Sequence, residues 1–165
     1  MATLTEAIEL AGYFGAHAMW CVSDGETLVP MLAGRDRDGA VSMRRVESEP
    51  LERAVSEARE ALAKNPDLYD CAVVLYDGFI TLPAGKTDAI LAEIQVYAAG
   101  QRVVLALPYR HASGAGGFAV FRPKVLTVPD NAGLSPEQLG EALFQGVAGH
   151  ERGAALWSHA LDESR

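Results

Sequence analysis

Apolar runs between residues 69 and 128 constrain the fold of this chain more than any other feature. They are rich in Val, Ile, Phe and Tyr, and the Gly-containing breaks between them are too short for a crossover helix. Strands joined by such short connections pair antiparallel, because a parallel pair needs a connection of about a dozen residues or more. The stretch from Tyr69 to Val128 therefore predicts an antiparallel meander that forms the central sheet. Its runs are YDCAVVLYDGFITL, TDAILAEIQVYA, RVVLALPY and FAVFRPKVLTV.

The run from Thr87 to Ala98 fits either a strand or a helix. Its apolar residues alternate as on a strand at positions 90–96, but Ile90, Ile94 and Tyr97 also have helical spacing. The distinction bears on function, because a helix here would begin at the position where a phosphate-binding loop belongs.

The residues of the preceding break decide between the two. Gly85, Lys86 and Thr87 suit a phosphate loop, but the motif requires glycine where this chain has Ile80. Pro83 also removes a backbone N–H from the cradle that would hold the phosphate. The sequence therefore favours a strand from Thr87 to Ala98 and argues against a nucleotide site.

The N-terminal part of the chain predicts a helix followed by hairpins. Thr3 and Glu6 have the capping-box spacing, and apolar residues at helical intervals predict a first helix from about Thr5 to Ala16. Between Met19 and Arg45, short apolar runs alternate with Asp-Gly turns, which predict two linked hairpins made of three short strands. Pro30 lacks a ladder donor and predicts an irregularity in the middle strand.

Further helices are predicted before and after the meander. Ser48 is the predicted cap of a second helix, which ends at Asn65 before a proline. Ser135 and Gln138 form a capping box for a third, and a last helical piece is predicted from Ala154 to Leu161. The whole predicts an α+β fold in which a single antiparallel sheet, made of hairpins and a meander in the C-terminal half, is covered by about three helices. We expect one globular domain over residues 1–165.

Charge and composition exclude several classes of partner. The chain has 165 residues, 49% of them hydrophobic, and carries a formal net charge of -8. Binding to phosphates requires clustered Lys and Arg, so we expect neither nucleic acid nor a membrane surface as partner. The N-terminus has no signal-peptide pattern, and no apolar run approaches the ~20 residues of a membrane span. The expected location is the cytoplasm.

Two cysteines, Cys21 and Cys71, both fall in predicted apolar strands. The interpretation we favour is a pair of buried free thiols, as is usual in a cytoplasmic protein. A disulfide that joins the first hairpin to the central sheet is the alternative.

The best candidate for a binding site is the polar end of the RVVLALPY run. Tyr109, Arg110 and His111 lead there into a glycine-rich loop that contains Ser113, and Arg122 follows on the next strand. A phenol, a guanidinium and an imidazole beside a flexible loop can line a pocket at a sheet edge. The alternative is a polar strand end with a mobile hairpin tip.

No catalytic or metal signature is complete. The nucleophile elbow fails around Ser113, because His111 and Ala115 occupy its glycine positions. His150 and Glu151 begin an HExxH motif, but Ala154 stands where the second histidine belongs. We predict no metal site and no cofactor.

Two functions remain open. The first is a non-enzymatic protein-interaction module of an adaptor-like or chaperone-like kind, which the acidic composition and the lack of catalytic motifs favour. In that case a protein partner or self-association as a homodimer covers part of the sheet. The second is a small-molecule binding protein or an enzyme, with its pocket at the strand end from Tyr109 to Ser113.

Overall fold

The longest helix, α1, occupies the centre of the fold. The computed structural model describes residues 1–165, and in it α1 spans Leu4–Val22. Thr3 and Glu6 form the predicted capping box at its start. The predicted end at Ala16 is wrong, because Met19 and Val22 continue the buried face of the helix. The strand predicted from Met19 is therefore the last turn of α1, and Cys21 lies in a helix.

The two linked hairpins of three strands predicted between Met19 and Arg45 are wrong: this region forms one hairpin of two strands. Both strands follow Pro30, and residues 26–30 belong to no helix or strand. The predicted turn is present, with Gly39 at φ 84° and the Asp36 carboxylate accepting from the Asp38 and Ala40 N–H groups at 2.8 and 3.0 Å. These strands are β1, Met31–Arg35, and β2, Val41–Arg45.

The second helix, α2, spans Leu51–Lys64. Its N-cap is Pro50, which makes no side-chain cap, so the predicted cap at Ser48 is wrong. The Ser48 hydroxyl donates instead to the Glu57 carboxylate. The predicted end is confirmed: Asn65 adopts the left-handed conformation, with φ 51°.

The predicted meander is confirmed. The ambiguous run is a strand, because each residue from Asp88 to Val96 pairs with a residue on both neighbouring strands. All interior residues of β5, from Val103 to Tyr109, are buried, as expected for a strand with both faces covered. The strands are β3, Cys71–Leu82; β4, Gly85–Val96; β5, Gln101–Arg110; β6, Ala119–Val120; and β7, Lys124–Thr127.

Two helices complete the chain. Ser135 and Gln138 form the predicted capping box, and the last helix begins at Glu151 instead of Ala154. Gly153 is inside this helix, where its missing side chain lets the backbone approach α1: a Cβ there would lie 2.6 Å from the Ala16 carbonyl oxygen. The helices are α3, Pro136–Ala148, and α4, Glu151–Ala160.

The predicted α+β class, with one antiparallel sheet, is confirmed. The seven strands have the order β2-β1-β3-β4-β5-β6, with β7 also paired to β5. Helix α1 covers one face of the sheet, with α3 and α4 packed on α1, and this side contains the main core of 30 buried residues. Helix α2 covers β1 and β3 on the opposite face, over a smaller core of seven. None of the four helices combines the length and apolar composition of a membrane span.

Candidate functional site

Tyr109, the first residue of the predicted strand-end site, is buried inside the protein. It is 2% exposed, and its hydroxyl donates to the Asp77 carboxylate at 2.8 Å. Burial and this hydrogen bond raise the pKa of Tyr109. Burial also raises the pKa of Asp77, although the hydrogen bond from Tyr109 opposes the change. The pair joins β3 to β5 and offers no free group to a ligand.

The next residues of the predicted site hold the glycine-rich loop in place. Arg110 donates from Nε to the Gly117 carbonyl at 2.6 Å and from a terminal nitrogen to that of Gly116 at 3.3 Å. One side of Arg110 borders an open cleft of about 620 Å³. The guanidinium therefore already has two acceptors from its own chain.

The hydrogen bonds of His111 define its tautomer. The Ser113 backbone N–H donates to Nδ1 at 3.1 Å, so Nδ1 is an acceptor and the ring proton is on Nε2. That proton is donated to the Gly25 carbonyl at 3.0 Å, and the Ser113 hydroxyl lies 2.8 Å from Nδ1. The ring thus ties the loop after β5 to the turn after α1.

Arg122 does not join this group. It is paired at 3.3 Å with Glu163 in the C-terminal segment, and both side chains are largely exposed. The structure brings Arg110, His111 and Ser113 together around the loop, buries Tyr109 beneath them and places Arg122 outside the cleft that Arg110 borders. Each predicted residue has a partner within the chain.

A buried carboxylate lies on the other face of the sheet. Glu93 of β4 has a side chain only 4% exposed and contacts Arg59 of α2 at 2.7 Å and Arg102 of β5 at 2.6 Å. The Tyr76 hydroxyl also donates to it at 2.5 Å. Burial by itself raises the pKa of Glu93, but these hydrogen bonds and charges outweigh burial and leave it lowered. All polar groups here are paired, so the cluster fixes α2 to the sheet.

A pair of histidines joins α1 to the start of α4. The Gly153 N–H donates to His150 Nδ1 at 2.9 Å, so the proton of a neutral His150 is on Nε2. That nitrogen lies 3.0 Å from His17 Nδ1, which accepts from it. Burial lowers the pKa of His17, and the charges of His150 and Arg45 lower it further. No group of three or more His, Cys, Asp or Glu side chains is placed to hold a metal ion.

A row of unpaired backbone groups lies along β2, which is one edge of the sheet. The Val46 N–H donates to the Pro30 carbonyl and the Asp36 N–H to the Ala40 carbonyl, at 2.8 and 3.0 Å. Bonded pairs alternate in an antiparallel ladder, so Ser42 and Arg44 direct their backbone groups to β1.

The intervening residues of β2 direct their backbone groups away from the sheet. These are Val41, Met43 and Arg45, whose N–H and C=O groups face outward along the unpaired edge. Val41 is 48% exposed, and Arg45 is exposed with no ion-pair partner. No prediction from the sequence identified this edge. The available signal was a short polar strand, VSMRR, followed by a helix rather than by another strand.

Neither cysteine takes part in these clusters. Cys21 of α1 is partly exposed and Cys71 of β3 is buried, and both are free thiols. Burial raises the pKa of the Cys71 thiol to about 11, which keeps it protonated and unreactive.

Comparisons with protein-family models, with curated proteins and with solved structures gave no match to this chain.

Proposed function

We propose that this chain is a non-enzymatic protein-interaction module that accepts an extended, acidic segment of a partner as an additional strand along β2. The observation that carries the proposal is the free edge itself, where Val41, Met43 and Arg45 present unpaired backbone donors and acceptors in regular register. Strand addition uses such main-chain groups for affinity and the adjacent side chains for specificity.

The other edge of the sheet is less suited to a partner. β7 pairs with β5 through an irregular register, with a shift between Val104 and Leu105. Pro123 and Pro129 flank it, and proline cannot donate to a ladder. Bulges and prolines are features by which proteins protect edge strands from pairing. Strand β2 has five residues in unbroken register and no proline.

Charge favours an acidic partner segment over a second copy of β2. Arg44 and Arg45 stand next to each other on β2, while the whole chain has a net charge of -8. If two β2 strands paired antiparallel about Met43, each Arg44 would face Ser42 of the other copy, and the two Arg44 residues would be diagonal neighbours about 7–8 Å apart. Like charges across an interface are unfavourable, whereas a carboxylate of a partner strand would pair with Arg45, which has no ion-pair partner; Arg44 already lies 3.8 Å from Asp67.

The alternative function, a small-molecule site from Tyr109 to Ser113, has less support. Tyr109 is 2% exposed, and the polar groups around it are bonded within the chain. A ligand there would have to displace intramolecular hydrogen bonds, whereas a strand on β2 displaces only water.

Peptide binding followed by fluorescence anisotropy tests the proposal. The probes are labelled ten-residue peptides of alternating Val and Glu, and the same design with Lys in place of Glu. We expect saturable binding of the acidic peptide and at least tenfold weaker binding of the basic one. Equal binding of both peptides, or of neither, contradicts the proposal.

Two variants locate the interaction on the edge. Met43→Pro removes an outward N–H that makes no bond to β1, so we expect peptide binding to be lost while pairing with β1 is retained; because the Met43 side chain also packs against the main core, a thermal melt checks that the variant is folded. Arg45→Glu weakens binding by charge, and Arg122→Glu on the far side of the protein is its matched control. If Arg122→Glu weakens binding as much as Arg45→Glu, general charge attraction explains the affinity and strand addition does not. Sedimentation of the free protein shows whether a second copy occupies the edge instead.

A further inference from the structure

A cleft lies between α1, the first hairpin and the end of α3. Its volume is about 550 Å³, which falls within the ~300–1,000 Å³ typical of small-molecule sites. The wall combines apolar and aromatic side chains with a guanidinium and an amide. The lining residues that matter here are Leu10, Tyr13, Phe14, Arg35, Val41 and Gln145.

Arg35, at the end of β1, is the one cationic residue of this cleft. Its Nε is buried and has no hydrogen-bond partner. No carboxylate oxygen lies within 4.0 Å of its guanidinium nitrogens. A donor that is shielded from water and left without an acceptor is unfavourable, because folding has removed its hydrogen bond to solvent. A ligand would not reach this buried nitrogen; the terminal nitrogens of the guanidinium, which are not shielded and have no carboxylate partner, are the groups that an anion in the cleft would meet.

The acidic residues near Arg35 do not take that position. The Glu6 carboxylate accepts from the Thr3 N–H at 3.0 Å, and Asp70 lies 3.6 Å from the N-terminal ammonium group. Glu9 borders the cleft without pairing with Arg35. Glu9 is thus the one carboxylate on the cleft wall, where it opposes the approach of an anion.

The apolar part of the wall is suited to the body of such a ligand. Tyr13 and Val41 are 39% and 48% exposed at the mouth, while Phe14 is nearly buried at 7%. Covering exposed apolar surface of this kind is favourable, and an arginine fork matches the two oxygens of a carboxylate.

We propose that this cleft binds a small organic carboxylate with an apolar body, whose carboxylate pairs with Arg35 and whose body packs on Tyr13, Phe14 and Val41. This site is separate from strand addition at β2, which uses backbone groups on the outer edge. Val41 alone contributes to both, through its side chain here and its backbone there.

Titration calorimetry with the whole protein tests the proposal. The probes are octanoate and 3-phenylpropionate, each compared with its uncharged amide. We expect at least one carboxylate to bind, and its amide to bind at least about tenfold more weakly, because only the carboxylate forms charge-assisted hydrogen bonds. If neither carboxylate binds at millimolar concentration, or if the amides bind equally well, the proposal is overturned.

Arg35→Gln keeps most of the side-chain stem and removes the charge. It should weaken carboxylate binding at least about tenfold and leave amide binding nearly unchanged. Glu9→Gln should tighten carboxylate binding several-fold, since it removes the opposing charge. Unchanged carboxylate binding in Arg35→Gln, with a wild-type melting temperature, overturns the assignment.

A second variant tests the cleft without altering Arg35. Gly149 has φ −72°, a conformation open to any residue, and a Cβ there would lie 3.4 Å from the Tyr13 ring. The larger side chain of Gly149→Leu fills the cleft beside this ring, so binding of carboxylates should be lost. If the folded variant binds as tightly as the wild type, the ligand lies elsewhere and the proposal fails.

Discussion

The contact between α1 and α3 provides the sharpest test of the fold, because two glycines make it possible. A Cβ added at Gly146 of α3 would lie 1.9 Å from the Glu9 carbonyl oxygen, and one at Gly12 of α1 would lie 1.9 Å from that of Leu143. Each glycine thus lets its helix approach the backbone of the other. Gly146→Ala forces the helices apart, since a backbone carbonyl cannot move aside as a side chain can.

The magnitude follows from two opposing effects. Alanine favours a helix over glycine by about 0.5–1 kcal/mol, while overpacking a tight contact costs about 1–3 kcal/mol or more. A separation of 1.9 Å between Cβ and a backbone oxygen places Gly146→Ala at the upper end of that cost. We expect a net loss of about 2 kcal/mol in the free energy of unfolding, equivalent to a melting temperature lower by roughly 4–8 °C.

Gly140→Ala is the matched control on the same helix. A Cβ at Gly140 meets no atom within 4 Å, so only the helical preference for alanine remains. This variant should gain about 0.5–1 kcal/mol in the free energy of unfolding. Urea denaturation followed by circular dichroism measures both variants. If Gly146→Ala is as stable as Gly140→Ala, the close approach of α1 and α3 is wrong.

Three further predictions concern polar groups. Glu93→Gln should lower the free energy of unfolding, measured by urea titration, by about 1–3 kcal/mol. This loss is smaller than that expected on breaking a fully buried ion pair, because Arg59 and Arg102 are about half exposed and can rehydrate. Because the pKa of Glu93 is lowered in the folded protein, the carboxylate stabilises the fold fully above its ordinary pKa of 4.5, and this stabilisation is lost as pH falls through the pKa of the folded state. Glu93→Gln should therefore make the free energy of unfolding less sensitive to acid. An unaltered acid profile would refute this. The pKa of His17 is also lowered, so as pH falls below 6.5 the unfolded chain takes up the proton before the folded protein does, and the free energy of unfolding should decline. His17→Gln should reduce this dependence of stability on pH. An equal dependence in both proteins would show that other groups cause it. Asn65→Ala should lower the free energy of unfolding by about 2–3 kcal/mol, because alanine is strained at φ 51° and the two hydrogen bonds to the Tyr69 backbone are lost. Asn65→Gly loses the same hydrogen bonds without the strain and should lower it by only about 1 kcal/mol. Equal losses of stability in thermal melts would show that the backbone of Asn65 is not strained by a side chain.

Local signals in the sequence predicted the elements that depend on neighbouring residues. The capping boxes at Thr3 and Ser135 and the left-handed end of α2 at Asn65 each involve groups a few residues apart. Ile80 and Pro83, the two residues that argue against a phosphate loop, also lie within a few positions of the start of β4. The side on which each helix packs did not follow from these signals.

The errors arose where distant packing decides the outcome. Helix α1 continues past Ala16 because α4 and the sheet bury its last turns, and no residue near Ala16 indicates this. The bond between His17 and His150 joins residues 133 positions apart. Arg35 lacks an ion-pair partner because the side chains of Glu6 and Glu9 are directed elsewhere. Strand β2 has a free edge because no other strand of the sheet pairs with its outer side. Such features require the tertiary structure.

Amide hydrogen exchange across β2, measured by NMR with and without the acidic Val-Glu peptide, tests strand addition most directly. The N–H groups of Ser42 and Arg44 already bond to β1, whereas those of Val41, Met43 and Arg45 face outward. We predict that the peptide slows exchange at Val41, Met43 and Arg45 and leaves the other two nearly unchanged. Protection without this alternation, or protection confined to another surface, would contradict the proposal that β2 accepts a partner strand.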